Sequence, residues 1–298
     1  MQNWLNPTPA TSPTSRYGGV LAYDPSTSTS VLFGGFSGTA NTALADTWSW
    51  NGTTWTQLSP ATSPPARYDS ALAYDPASGQ MILFGGDSAS NAPLGDTWSW
   101  NGTTWTQLSP ATSPPAEYGA MLTYDPALNS LILFGGIVHG AYVNTTWSWN
   151  GTTWTQLSPA TSPPAREEFA MSYDAALSVI GLFGGKSSTG APLGDIWSWN
   201  GTTWTELASL TSLPPRYYPM DTYDPTTGAE VLFAGYGTGG FFDDTWLYET
   251  MNSWPVVVSG LNGGASGSQI ACTTATCFAW FGNELFTSAN SWVPTVDV

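Results

Sequence analysis

Positive charge is scarce in this chain. Five Lys and Arg stand against 21 Asp and Glu in 298 residues, a net charge of −16. Without cations to neutralise phosphates, the sequence excludes nucleic acid as a partner and disfavours an anionic membrane surface. No apolar run approaches the ~20 residues that cross a bilayer, so membrane insertion is not expected. The opening MQNWLNPTPA has neither the basic start nor the apolar core of a secretion signal. An exported form would therefore derive from a trimmed precursor. Histidine occurs once, at His139 beside Gly140. One loop histidine supplies no Ser–His–Asp or Cys–His set, so no catalytic residue, metal ligand or cofactor is assigned.

The chain is instead rich in aromatics and in repetition. Trp48–Pro65, Trp98–Pro115 and Trp147–Pro164 share one sequence, WSWNGTTWTQLSPATSPP, with a lightly altered copy from Trp197 and a decayed one from Trp246. A period near 50 residues built from short β-like runs marks a propeller or solenoid array. In the second unit Tyr68–Asp75 reads as a small-residue strand closed by Asp75-Pro76. Met81–Phe84 is a strand buried on both faces and closed by Gly85-Gly86. Asp96–Trp100 alternates, and Asn101-Gly102 turns it into Trp105–Leu108. Four antiparallel strands with two aromatic faces must stack on neighbours, and a ring hides every face.

Arg67, Phe84-Gly85-Gly86, Trp98 and Trp105 recur in register at Arg16, Arg166 and Arg216 and their following motifs. This pattern, over roughly residues 14–258, resembles the Kelch repeat. The resemblance implies an all-β propeller with the small-residue strand lining a central channel. Copper-radical oxidases of that fold need two histidines and a Tyr–Cys cross-link, which one histidine rules out here. The spacing of plant iron-dependent specifier proteins is absent, and the Arg, Glu and His set of sialic-acid mutarotases is matched only weakly.

Six blades are expected in one domain spanning 1–298. Residues 1–13 form a closing strand, because Trp4 precedes Tyr17 by the offset that separates Trp55 from Tyr68. Residues 14–258 carry five repeats. Residues 259–298 form a degenerate sixth blade from SQIACT, TCFAWF, ELFTSA and SWVPTV. Cys272 and Cys277 flank a turn between two of these runs, a placement that suits a disulfide and an oxidising, extracellular compartment; the alternative is a pair of buried thiols. Sequons stand at Asn51, Asn101, Asn144, Asn150 and Asn200, glycosylated only in a host that modifies Asn.

Arg16, Arg67, Arg166 and Arg216 occupy one repeat position. They either pair with a neighbouring blade's Asp46, Asp96, Asp195 or Asp244, or form a collar that grips an anionic ligand. The tryptophans fit wedges between blades, with sugar stacking as the alternative. The units differ at Asp69, Glu117, Glu167, Glu168, Tyr217 and Tyr218, an acidic and aromatic set at one channel mouth. The expected function is a non-catalytic extracellular binding module for a glycan or protein partner. Two alternatives are a self-assembling surface component that donates its N-terminal strand and a sugar-active enzyme using Glu117, Glu167 and Glu168.

Overall fold

The computed structural model describes residues 9–208, 213–224, 229–242, 244–249, 269–272, 277–281 and 284–288. No helix occurs among them; they form antiparallel sheets. The chain divides into two compact units, Met1–Thr250 and Met251–Val298.

In the first unit each repeat forms one sheet in chain order. In blade 2, Ala71–Asp75 is innermost, followed by Gln80–Phe84, Thr97–Trp100 and Trp105–Leu108. The innermost strands of successive blades lie side by side, so the sheets fan about one axis. Each blade's middle strands serve two cores. Met81 and Leu83 join Trp98, Trp100 and Trp105 against Val31 and Phe33 of blade 1. Ile82 and Phe84 face the other way, onto Leu131, Leu133, Trp149 and Trp154 of blade 3. The period-two alternation of a strand thus explains why Gln80–Phe84 is apolar on both faces.

The outer tryptophan fixes the wedge. Trp105 packs its ring on Phe33 of the preceding blade at 5.1 Å, and its Nε1 donates to Thr47 Oγ1 at 3.0 Å. Trp154 does the same with Phe84 and Thr97, and Trp204 with Phe134 and Thr146. A buried indole removes roughly 200 Å² from water, which at ~25 cal/mol per Å² is worth about 5 kcal/mol. The tryptophans therefore serve chiefly as packing: Trp48, Trp98, Trp100, Trp105, Trp149, Trp154, Trp199 and Trp204 all sit in the core.

The proline-rich connections are also structural. Thr62 leaves blade 1 and its hydroxyl donates to the Trp105 carbonyl of blade 2; Thr112 and Thr161 repeat this on Trp154 and Trp204. The connections thereby cover the exposed edge of each outer strand. Near the N-terminus, Thr11 Oγ1 donates to the Trp55 carbonyl at 2.8 Å. Residues 9–13 thus dock on blade 1 as the Thr62 segment docks on blade 2, though as an irregular segment and not a strand. Trp4, expected in the closing strand, lies outside the described residues.

The expected strand Tyr68–Asp75 is broken in two. Asp69 adopts φ 50°, in the left-handed region, and Arg67–Tyr68 swings out to pair with Asp87–Ser88. The same break recurs at Gly18, Gly119, Glu168 and Tyr218.

The second unit holds three antiparallel strands, Gln269–Cys272, Cys277–Phe281 and Glu284–Ser288. Their register sets Cys272 opposite Cys277. The side chains that would form the disulfide, and the SWVPTV strand, lie outside the described residues. The count of six blades rests on this unit.

The diglycine follows from a close approach between blades. A Cβ on Gly85, at φ +65°, would lie 2.5 Å from the Glu117 carbonyl oxygen of blade 3. Gly52, at φ +96°, has nothing within 4 Å of its would-be Cβ. Gly52→Ala should therefore cost about 1 kcal/mol of backbone strain. Gly85→Ala should cost clearly more, because the next blade must shift. Chemical denaturation giving the two variants equal stability would refute this account of the motif.

Candidate functional site

Beneath the mouth lies a rigid frame. Arg67 Nη1 and Nη2 donate to the two Asp96 oxygens at 2.6 and 2.8 Å, Nη1 also to the Gly85 carbonyl at 2.9 Å, and Nε to the Pro65 carbonyl. Arg166 with Asp195 and Arg216 with Asp244 repeat the arrangement, as does Arg16 with Asp46. Each Asp also accepts a bond from the indole two residues on, Trp48, Trp98, Trp197 or Trp246. Burial alone would raise Asp96, but the Arg67 fork and the Trp98 Nε1 hold its carboxyl below the ordinary range. Asp244 is pulled down to about 2, chiefly by Arg216.

The pairing is within each blade. The neighbouring-blade partner expected from the sequence is corrected by the sheet geometry, which brings the starts of the first and third strands together. Arg67, Arg166 and Arg216 have 0% side-chain exposure. Their forks are filled and lie under the mouth, so they do not form a ligand-gripping collar.

The mouth is built from the strand breaks. The five left-handed residues join blade to blade through their backbones. Asp69 N–H donates to the Gly18 carbonyl, Gly119 to Asp69, Glu168 to Gly119 and Tyr218 to Glu168, at 2.7–3.4 Å. This girdle carries the side chains of Asp69, Glu168 and Tyr218 at the axis. Just outside it, Tyr17, Tyr68, Tyr118, Glu167 and Tyr217 pair across short bridges with Phe36, Asp87, Ile137, Lys186 and Tyr236. Every described blade thus adds three residues to the face. The one after the diglycine differs in all five, the break residue is Gly, Asp, Gly, Glu and Tyr in turn, and the residue before it is tyrosine except at Glu167.

Negative charge collects on blades 2 and 4. Tyr68 donates to Asp87 Oδ2 at 3.0 Å; Tyr142 donates to Glu167 Oε1 at 2.8 Å, and Lys186 reaches the same oxygen at 3.2 Å. Burial, with Glu167 and Asp87 nearby, pushes Asp69 up to about 6. Glu168 rises to about 7, mainly through burial, against the bond from Tyr218. Lys186 would be lowered by its partial burial, yet Glu168 and Glu167 hold it above the ordinary amine value. Beside it, a groove of about 340 Å³ runs between Thr189–Pro192 and Tyr217, Tyr236 and Gly237.

Blade 3 breaks the frame. Glu117 replaces the arginine and Thr145 replaces the aspartate. Glu117 is 2% exposed; its Oε2 has no partner, and neither does the Trp147 Nε1 that an aspartate would have accepted. Burial without compensation pushes Glu117 up to about 8.

The structure therefore brings Asp69, Glu167, Glu168, Tyr217 and Tyr218 to one face and buries Glu117 beneath it. His139 lies at φ 49° in an exposed hairpin. Sequence reasoning missed Asp87, Lys186, Phe36, Ile137 and Tyr236. Their signal was available: they are the first residue after each Gly-Gly or Ala-Gly pair, and it changes in every unit. The sequon side chains of Asn51, Asn101, Asn150 and Asn200 accept backbone bonds in their own hairpin turns. Asn144 Nδ2 donates to the Pro163 carbonyl.

Four-stranded antiparallel sheets fanned about an axis, with a variable face over an Arg–Asp frame that recurs in every described blade but the third, define a β-propeller. The family model described as the KLHDC2/KLHL20/DRC7 Kelch-repeats domain matches residues 54–181, and the array is a Kelch β-propeller. No curated protein matches the chain.

Two outcomes are expected. Arg67→Ala or Arg166→Ala should cost about 3 kcal/mol by stranding a carboxylate, while Glu117→Arg with Thr145→Asp should raise the melting temperature above the parent. Either single change should lower it, so a double-mutant cycle should show strong favourable coupling. Additive effects would mean that blade 3 cannot host the frame. Separately, Asp69, Glu168 and Glu117 have folded values raised above their unfolded ones. Their stabilising contribution is complete below about pH 4 and is lost as pH rises through about 6 to 8. Melting temperature should fall over that range, and less steeply in D69N/E117Q/E168Q; parallel pH profiles would refute the assignment.

Proposed function

We propose that this propeller is a non-catalytic binding module whose mouth face engages a protein partner. The observation that carries the reading is the contrast between frame and face: nearly the same residues build the blades, while the mouth position after the diglycine is Phe36, Asp87, Ile137, Lys186 and Tyr236 in turn. A rigid ring presenting a different side chain from every blade is suited to one asymmetric ligand. The Kelch match supports a protein as that ligand, since Kelch propellers serve as protein-binding modules. A glycan is the second candidate, favoured by the aromatic rings of Tyr17, Phe36 and Tyr68, which touch at 5.3–6.2 Å. The docking of Thr11 onto blade 1 favours an internal role for the N-terminal segment over strand donation to another molecule. Export fits the low charge and the facing backbone positions of Cys272 and Cys277.

Selection from a displayed random-peptide library, alongside a printed glycan array, tests the reading. Binders should lose at least about tenfold affinity with Tyr118→Ala or Tyr217→Ala and keep it with Asn101→Ala or Asn150→Ala in the outer hairpins. Binding lost only through the outer-hairpin changes, or no binder of either kind, would overturn it.

A further inference from the structure

The mouth carries more negative charge than it can neutralise. Asp69, Asp87, Glu167 and Glu168 converge there, and Lys186 is the cation among them. That amine is already committed, at 3.2 Å from Glu167 and 4.0 Å from Glu168, with its charge 5.6 Å from the Tyr217 ring centre. Two buried carboxylate oxygens are left without any partner, Asp87 Oδ1 and Glu168 Oε2. Asp87 is 5% exposed and the Glu168 side chain 9%. A buried carboxylate oxygen keeps a strong demand for a donor. Burial first, and the neighbouring acids second, raise Asp69 and Glu168 as well.

Asp69 and Glu168 stay partly open to solvent at the axis. Gly18 and Gly119 pack closely on Asp69 and Glu167, so blades 1 and 3 put no side chain of their own over the acids. Tyr68, Tyr118 and Tyr218 surround the acids with aromatic surface, which attracts cations through the ring quadrupole. A metal ion is the poorer occupant: among the described residues no group of three His, Cys, Asp or Glu is arranged to hold one. Lys186 shows the chemistry that does fit, an ammonium held jointly by carboxylates and a tyrosine ring.

We infer that the mouth is a receptor for one cationic side chain, a lysine or arginine carried on the protein partner, held by Asp69, Asp87 and Glu168 between Tyr68, Tyr118 and Tyr218. The inference rests on the reading of this face as the binding face, and it names what that face selects. The thin methylene stem of Lys or Arg reaches a buried acid while the rest of the partner stays on the rim, and the charge complementarity sets register as well as affinity.

The test uses the full chain and arrayed end-blocked heptapeptides with randomised flanks and a central lysine, arginine, citrulline, norleucine or glutamate. Lysine or arginine centres should bind at least about tenfold better than citrulline or norleucine, with the preference shrinking as salt rises. D69N/E168Q, checked by its melting curve, should abolish the preference; Glu206→Gln on the exposed outer strand of blade 4 should leave it intact. Because removing like charges relieves repulsion, the double variant should melt no lower than the parent. Should it melt lower, Asp87→Asn serves in its place. Peptides that bind, and lose binding with Tyr118→Ala, yet ignore the central charge would overturn the cation inference and leave the binding face standing. Peptides that fail to bind at all would overturn both. Saturable binding of calcium chloride, abolished by D69N/E168Q, would assign the acids to a metal instead.

Discussion

The buried Arg–Asp fork is the interaction on which the rest of this propeller depends. Four of the five N–H groups of Arg67 find acceptors: both Asp96 oxygens, the Gly85 carbonyl and the Pro65 carbonyl. One side chain thereby ties the connection entering a blade, the end of its second strand and the start of its third. Its own backbone carbonyl accepts from Gly35 N–H of the previous blade at 2.8 Å. The residue that locks one sheet thus also sets the distance to the one before it. Charge pairs this buried contribute modestly to net stability, because desolvation consumes much of the attraction. Their effect here is geometric, since a guanidinium fork accepts only one arrangement of partners.

That constraint also makes the face possible. With the frame holding the strand starts, the chain can leave the sheet at a left-handed residue and pair with the segment after the diglycine. The resulting girdle carries side chains to the axis without touching the wedge packing of the tryptophans. Residues there change from tyrosine to glutamate to glycine with little consequence for the cores, which belong to other residues. The variable face and the packing that stabilises the fold therefore occupy separate layers of the molecule, and the acidic cluster can remain electrostatically unsatisfied because the frame beneath it is not.

Blade 3 shows what the frame does when it is altered. Losing both Arg and Asp leaves Glu117 Oε2 and Trp147 Nε1 without partners. Yet the blade keeps the same strand order, and its Trp154 still meets Phe84 and Thr97. Wedge packing holds the blade in place when its fork is missing. The raised Glu117 is a carboxyl kept neutral by its surroundings, and its perturbation is a consequence of burial with no ligand implied.

The repeat period, the four strands of each blade and the role of the tryptophans were legible in the sequence, because strand alternation and turn chemistry are local and the copies confirm one another. The mouth was legible only in part. Glu167, Glu168, Tyr217 and Tyr218 stood out as departures from the repeat, but Asp87, Lys186 and Tyr236 lie about 19 residues further on and meet them only when the broken strand pairs outward. That break depends on left-handed residues, such as Asp69 and Glu168, whose types do not announce it. Likewise the sequence offered Asp46, Asp96, Asp195 and Asp244 as partners for the arginines without fixing which blade supplied each. Only the tertiary structure decided that the pairs close within a blade and beneath the face, because strand order and burial, not spacing along the chain, determine which carboxylate a guanidinium can reach.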